Sequence, residues 1–269
     1  MKKQAQQIEC VRIEELGEED NMSAIYILWL RQIKKYLRSR SRLIGSLGQP
    51  LLFLLAFGFG FGSIYQKAGQ GIYIQFLGPG IILMSVLFTA VFTGIEIIWD
   101  RQFGFLKETL VAPVPRFNIM LGRTIGGATV ATIQGIIVFI LTLIVGFRPN
   151  NFALIPLWLI VVFLSALLFT SLGTIIASLM EDMQGFQIIM NFLVMPIFFL
   201  SGALFPLKGL PPIMEFIVKF DPLTYGVDGA RWALISKSEF GILKDLSILI
   251  IVTVILIGIG SYLFERIEA

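Results

Sequence analysis

The stretch LIPLWLIVVFLSALLFTSLGTIIASLM, residues 154–180, carries no charged side chain from end to end. A bilayer core about 30 Å thick needs about 20 helical residues, each rising about 1.5 Å. This stretch is long enough, and backbone groups in lipid must bond within their own segment, so it reads as a transmembrane helix. Working outward, residues 43–64, 72–98, 122–146, 186–205 and 246–264 meet or approach the same standard. The alternating pattern of a membrane β-barrel is absent. The predicted fold is all-α: a polytopic membrane protein with six transmembrane helices.

Composition agrees. Of 269 residues, 56% are hydrophobic and 14% charged, and Phe alone accounts for 24. One water-soluble core cannot hide that much apolar surface, whereas lipid accepts it outside. There is no His and a single Cys, Cys10. Imidazole bases, His-bearing zinc sites and internal disulfides are thereby excluded, and no metal site is expected. The opening MKKQAQQIECVRIEELGEED lacks the apolar segment of a signal peptide. A net charge of +3 is too small to point to nucleic acid.

Basic residues set the expected orientation. Arg31, Lys34, Lys35, Arg38, Arg40 and Arg42 precede the first span, and Arg101, Lys107, Arg116 and Arg123 join the second to the third. The first-to-second loop holds only Lys67 and the third-to-fourth only Arg148. Both termini are expected in the cytoplasm, with the chain in the cell membrane. The 206–245 segment resists the rule, since it carries Lys208, Lys219, Arg231, Lys237 and Lys244 on the side predicted to be outside. Residues 1–23 read as a flexible cytoplasmic tail, acidic over Glu14–Asp20. Residues 24–42 read as an interfacial amphipathic helix, with Tyr26, Trp29, Leu30, Ile33 and Leu37 on one side and Arg31, Lys34, Lys35 and Arg38 on the other. A plain basic flank is the alternative.

Pro196 predicts a break in the fifth span. PIMEFIVKF (212–220) and PLTYGVDGARWALI (222–235) are too short to cross a bilayer yet too apolar for a solvated loop. They read as exoplasmic half-helices, or else as a small exoplasmic cap.

No enzyme motif survives inspection. The glycine clusters GFGFG (58–62) and GRTIGG (122–127) lack the GK[ST] ending of a phosphate loop. Intramembrane charge, the usual mark of an ion pathway, is nearly absent. Glu96 is the main candidate for such a mark; snorkelling to the interface or pairing with a cation such as Arg101 is the structural alternative. Gln134, Gln187 and Asn191 are polar groups inside spans, suited to inter-helix hydrogen bonds or to contact with a cargo. The short loop WDRQFGFLKETLVAPVPRFNIMLGR (99–123), with Phe103, Phe105, Leu106 and Leu110 ahead of Pro113 and Pro115, suits docking to a cytosolic partner.

Two motifs now carry a family resemblance. Asp100-Arg101, Gly104, Leu106, Leu110, Pro113 and Arg116 resemble the DRE-x-G-x-L-x-x-L-L-x-x-P-x-x-R pattern of ABC-2 type transporter permeases. Phe205-Pro206, Pro211-Pro212, Asp221-Pro222-Leu223-Thr224-Tyr225 and Arg231 resemble that family's second hallmark. The resemblance runs from about Ala24 to the end, making 24–269 the transmembrane domain. Gln102 stands where an acidic residue is common, and Lys107-Glu108 varies the charge order. Within the family the chain is most similar to short drug-resistance-type and nodulation-export permeases.

The resemblance implies the transmembrane half of an ATP-binding cassette exporter. Two permeases, as a homodimer or a pair of homologues, would join two separate ATPase subunits that hold ATP and Mg, while this chain binds no cofactor itself. Asp100, Arg101, Gly104, Glu108, Pro113 and Arg116 would shape an ATPase-coupling segment. Phe205, Pro206, Asp221, Pro222 and Arg231 would form an exoplasmic gate, with helix capping an equal role for Asp221. A drug-like molecule, a lipid and a glycan all fit as cargo. An ion-driven secondary carrier and a non-transporting scaffold are the rivals.

Overall fold

The computed structural model describes residues 22–67, 72–111, 114–207, 209 and 211–267. Cys10 and the acidic tail lie outside them. Helix α1 covers 22–38, followed by α2 (Arg40–Gly60), α3 (Gly62–Lys67), α4 (Tyr73–Phe92), α5 (Ile95–Gln102) and α6 (Phe105–Val111). Then come α7 (Arg116–Val145), α8 (Ile155–Leu179) entered through a 3-10 turn, α9 (Met183–Leu200), α10 (Pro212–Phe220), α11 (Pro222–Ile235) and α12 (Ile242–Glu265). Among the described residues, six segments are long and apolar enough to span a bilayer: Leu43–Gly60, Tyr73–Gln102, Arg116–Val145, Phe152–Leu179, Met183–Leu200 and Ile242–Glu265.

The α4 segment is the axle of the bundle, with 78% of its most apolar window buried against 17% for α2 and α12 and 22% for α9. It packs on α7 and α8; α12 packs on α8, and α11 lies against α4, α8 and α12. The less buried helices turn Leu52 and Phe59, Phe192, and Ile251 and Val254 outward, as a lipid boundary requires.

Three expectations need correction. The second span is not one helix: it turns at Thr93-Gly94, where Thr93 Oγ1 donates back to the Ala90 carbonyl at 2.6 Å. Here two backbones cross without side chains between them. A Cβ on Gly94 would strike the Gly173 carbonyl, and one on Gly173 would sit 2.5 Å from Val91 O. Gly173→Ala is therefore expected to cost about 1–3 kcal/mol by overpacking, seen as a Tm lower by about 2–4 °C per kcal/mol in detergent. Second, α9 is unbroken through Pro196, as α2 is through Pro50 and α4 through Pro79. It stops at Leu200 instead of 205, where Ser201 and Gly202, at φ 71°, turn the chain away. Third, α7 begins at Arg116, not Gly122, directly after the extended Pro115.

Candidate functional site

At the α1 end, the α4–α5 turn points two carboxylates one helical turn apart toward α1. Asp100 accepts from both Arg31 guanidinium nitrogens, at 3.2 and 3.4 Å, and its Oδ2 lies 2.7 Å from Arg123 Nη2 of α7. Glu96 pairs with Lys35 at 3.3 Å, so its partner is on α1 and is not Arg101. Arg31 also stacks over Phe105 of α6 at 4.1 Å. The cations of α1 that composition assigned to lipid headgroups thus include two that face α5. Trp29 adds a 3.0 Å bond to Thr129.

The same ion pairs hold out a short apolar surface. Gly104, at φ 77°, takes a backbone that a side chain would strain, and it turns α5 into α6. Leu106 anchors α6 in the core, while Phe103 (75% exposed) and Val111 (84%) face outward. Arg101 ties the segment to α9's approach, donating to Glu181 at 3.2 Å, and Gln102 donates to the Glu181 carbonyl at 3.1 Å. Arg116 donates to the carbonyls of Glu265, the last residue of α12, and of Ile267 just past it. The Glu108 side chain and Pro113 lie outside the described residues.

Of the three polar span residues, Gln134 is buried and bonds between helices: Tyr36 donates to its Oε1 at 2.5 Å and Ser46 at 3.1 Å. Gln187 and Asn191 are exposed on one stripe of α9, apart from that group.

At the opposite end, α10 and α11 meet at Asp221. Its carboxylate accepts from Leu223 N at 2.9 Å, capping α11, and Pro222 supplies the first turn. Burial pushes the Asp221 carboxyl up to about 7, against the opposing pull of the Leu223 N–H and Thr224. A raised folded-state value favours the neutral form, so its stabilising share is full below the ordinary 3.8 and is lost as pH rises to about 7. Asp221→Asn keeps the cap and is expected to raise Tm at pH 8, the gain vanishing toward pH 4.

Arg231 is buried. It donates to the Gly202 and Ala203 carbonyls at 2.7 and 3.2 Å and to Phe76 O at 3.3 Å, and it stacks on the Phe76 ring at 3.7 Å. Tyr73 secures the same strip through Leu204 O at 2.9 Å. Phe205 is half exposed and Pro206 partly buried beside it. Asp228, which sequence reasoning passed over, accepts from Ser238 Oγ and from Glu239 and Phe240 N–H at 2.8 to 3.0 Å, fixing the turn between α11 and α12. Asp245 is fully buried beside it, and neither of its carboxylate oxygens meets a donor. Spacing hid Arg123, Asp228 and Asp245; their signal was a charge set within an apolar stretch.

Six apolar spans, a charged cluster beside a short apolar helix at one end, and a capped helix pair at the other define a polytopic membrane protein. The chain belongs to the ABC-2 type transporter family, whose model matches residues 23–235. It is similar to the putative transport permease ycf38 of Cyanophora paradoxa, 26% identical with 96% of both chains covered. It is also similar to nodulation protein J of Rhizobium leguminosarum bv. trifolii, 27% identical over 90% of each. The inner membrane transport permease YadH of Escherichia coli K12 is 25% identical over 90% of this chain and 95% of its own. The protein is therefore a membrane permease subunit of an ABC transporter, a class that works with an ABC ATPase.

Proposed function

We propose that two copies of this permease, or one copy and a homologue, join two cytosolic ATPase subunits and export an amphipathic cargo, drug-like, lipid or glycan. ATP and Mg are held by the ATPase, and both permease termini face the cytoplasm of a cell-membrane transporter. The observation that carries this reading is the α5–α6 surface: Phe103 and Val111 exposed, yet rigidly tied to α1, α7 and α9 through Asp100 and Arg101. An ATPase that seats on α5–α6 pulls on the second and third spans and on α1 together, because Asp100 of α5 pairs with Arg123 of α7 and Arg31 of α1 while Leu106 anchors α6 in the core. The α10–α11 pair, with Arg231 holding the 202–203 carbonyls, suits an outer gate. The exposed stripe of Gln187 and Asn191 suits a path between two copies.

Phe103→Asp combined with Val111→Asp changes only exposed positions. It is expected to leave insertion and Tm unchanged while reducing permease-stimulated ATP hydrolysis at least tenfold. Full stimulation by this variant would refute the docking surface.

A further inference from the structure

A cavity of about 220 Å³ opens between the α1–α2 junction and α4, outside both sites described above. By volume it holds several waters, at about 30 Å³ each. Among the described residues its lining has no charged side chain. Gln134, bonded to Tyr36 and Ser46, locks one wall. Across from it stands Ser85 of α4, 2% exposed, whose hydroxyl has no partner. A buried hydroxyl without a hydrogen bond is destabilising, and a fold that keeps one against a cavity has a donor–acceptor ready for a guest. Gln49 and Thr89 also face the space. Phe88 and Phe92, with rings 6.5 Å apart and 10° from parallel, give the remaining side an apolar wall.

We propose that this cavity binds the uncharged, hydroxyl- or carbonyl-bearing end of an amphipathic molecule, whose apolar part runs out along α2 and α4. A carboxylate or phosphate would meet no cation among the described lining residues and would forfeit its hydration. A wholly apolar molecule would leave Ser85 unpaired. A neutral head with a hydrocarbon tail satisfies both. Whether it is the cargo rests on the transport reading above; the binding itself does not.

The test uses the full-length permease in nanodiscs and a monoacylglycerol carrying a photoactivatable diazirine in its chain, with the matching fatty acid as the anionic control. The monoacylglycerol is expected to label peptides containing residues 45–50 and 84–92, and excess unlabelled monoacylglycerol should compete. Labelling there should be at least fivefold above that by the fatty acid at pH 8. Ser85→Ala should weaken it severalfold. Gly45→Leu should abolish it by filling the space, since a Cβ at Gly45 meets nothing within 4 Å and the fold is not strained. Labelling of α12 should be unchanged in both variants. Equal labelling by the two probes, or labelling indifferent to both variants, would overturn the proposal. Adding the ATPase and ATP then separates the two sources of such a molecule. Labelling that falls with turnover marks a cargo, and labelling that persists marks a resident lipid. Failure of the permease to stimulate an ATPase would sink the transport reading and leave this binding result standing.

Discussion

Asp100→Ala is expected to lower the stability of the permease by about 3–5 kcal/mol, enough to abolish most of the folded yield. The reason is the partner left behind. Arg123 is 3% exposed, its side-chain nitrogens form no other hydrogen bond, and Asp100 is the carboxylate it touches. Removing one member of a buried pair strands the other charge without water, and that desolvation sets the size of the loss. Arg31, at 32% exposed, recovers hydration once released, so Arg31→Ala is expected to cost far less, near the 1 kcal/mol ceiling of surface pairs. The comparison that isolates the mechanism is the double variant Asp100→Ala with Arg123→Met. With no stranded charge, it should regain most of the lost Tm in a detergent melt. A double variant as unstable as the single one would show that Asp100 acts through something other than Arg123.

Arg231→Ala is expected to release the α10–α11 pair from α4 while leaving the six spans inserted. Three carbonyls, those of Phe76, Gly202 and Ala203, lose their donor together, and a cation–π contact at 3.7 Å disappears with them. Arg231→Lys cannot repair this, because a single ammonium does not reproduce the planar fork that reaches α4 and the turn after α9 at once. Leu204 reports the event. It is 0% exposed, and the strip it belongs to is held by Arg231 and Tyr73. In a Cys10→Ser background, Leu204→Cys should resist a membrane-impermeant maleimide and become labelled at least tenfold faster once Arg231→Ala is added. Unchanged protection would mean that Arg231 does not hold this end closed.

The spans were legible because an unbroken apolar run leaves the backbone only one arrangement in lipid. Their internal turns were not. Thr93-Gly94 sits within a run whose hydropathy never falters, and its cause lies eighty residues downstream, where Gly173 admits a neighbouring backbone. Pro196 misled in the opposite sense, because a span helix tolerates a missing N–H that a marginal soluble helix would not. The residues of the α5–α6 segment could be picked out one by one from spacing. That Asp100 faces inward to Arg31 and Arg123, leaving Phe103 and Val111 as the exposed surface, follows from packing that no spacing encodes. Orientation shows the same limit. Arg231 counted against the charge rule at the 206–245 segment, yet it is a buried structural cation and carries little weight as a loop charge.

We propose that this chain is the membrane half of a machine whose ATPase is a separate polypeptide seated on α5–α6. Purification of the permease co-expressed with a candidate ATP-binding cassette subunit, followed by hydrolysis assays with and without the permease in lipid, tests that arrangement. A one-to-one permease–ATPase complex is expected, with hydrolysis that rises with the permease and falls with Phe103→Asp/Val111→Asp. A permease that assembles and moves solute on an ion gradient, with no ATPase bound and no response to ATP, would contradict it.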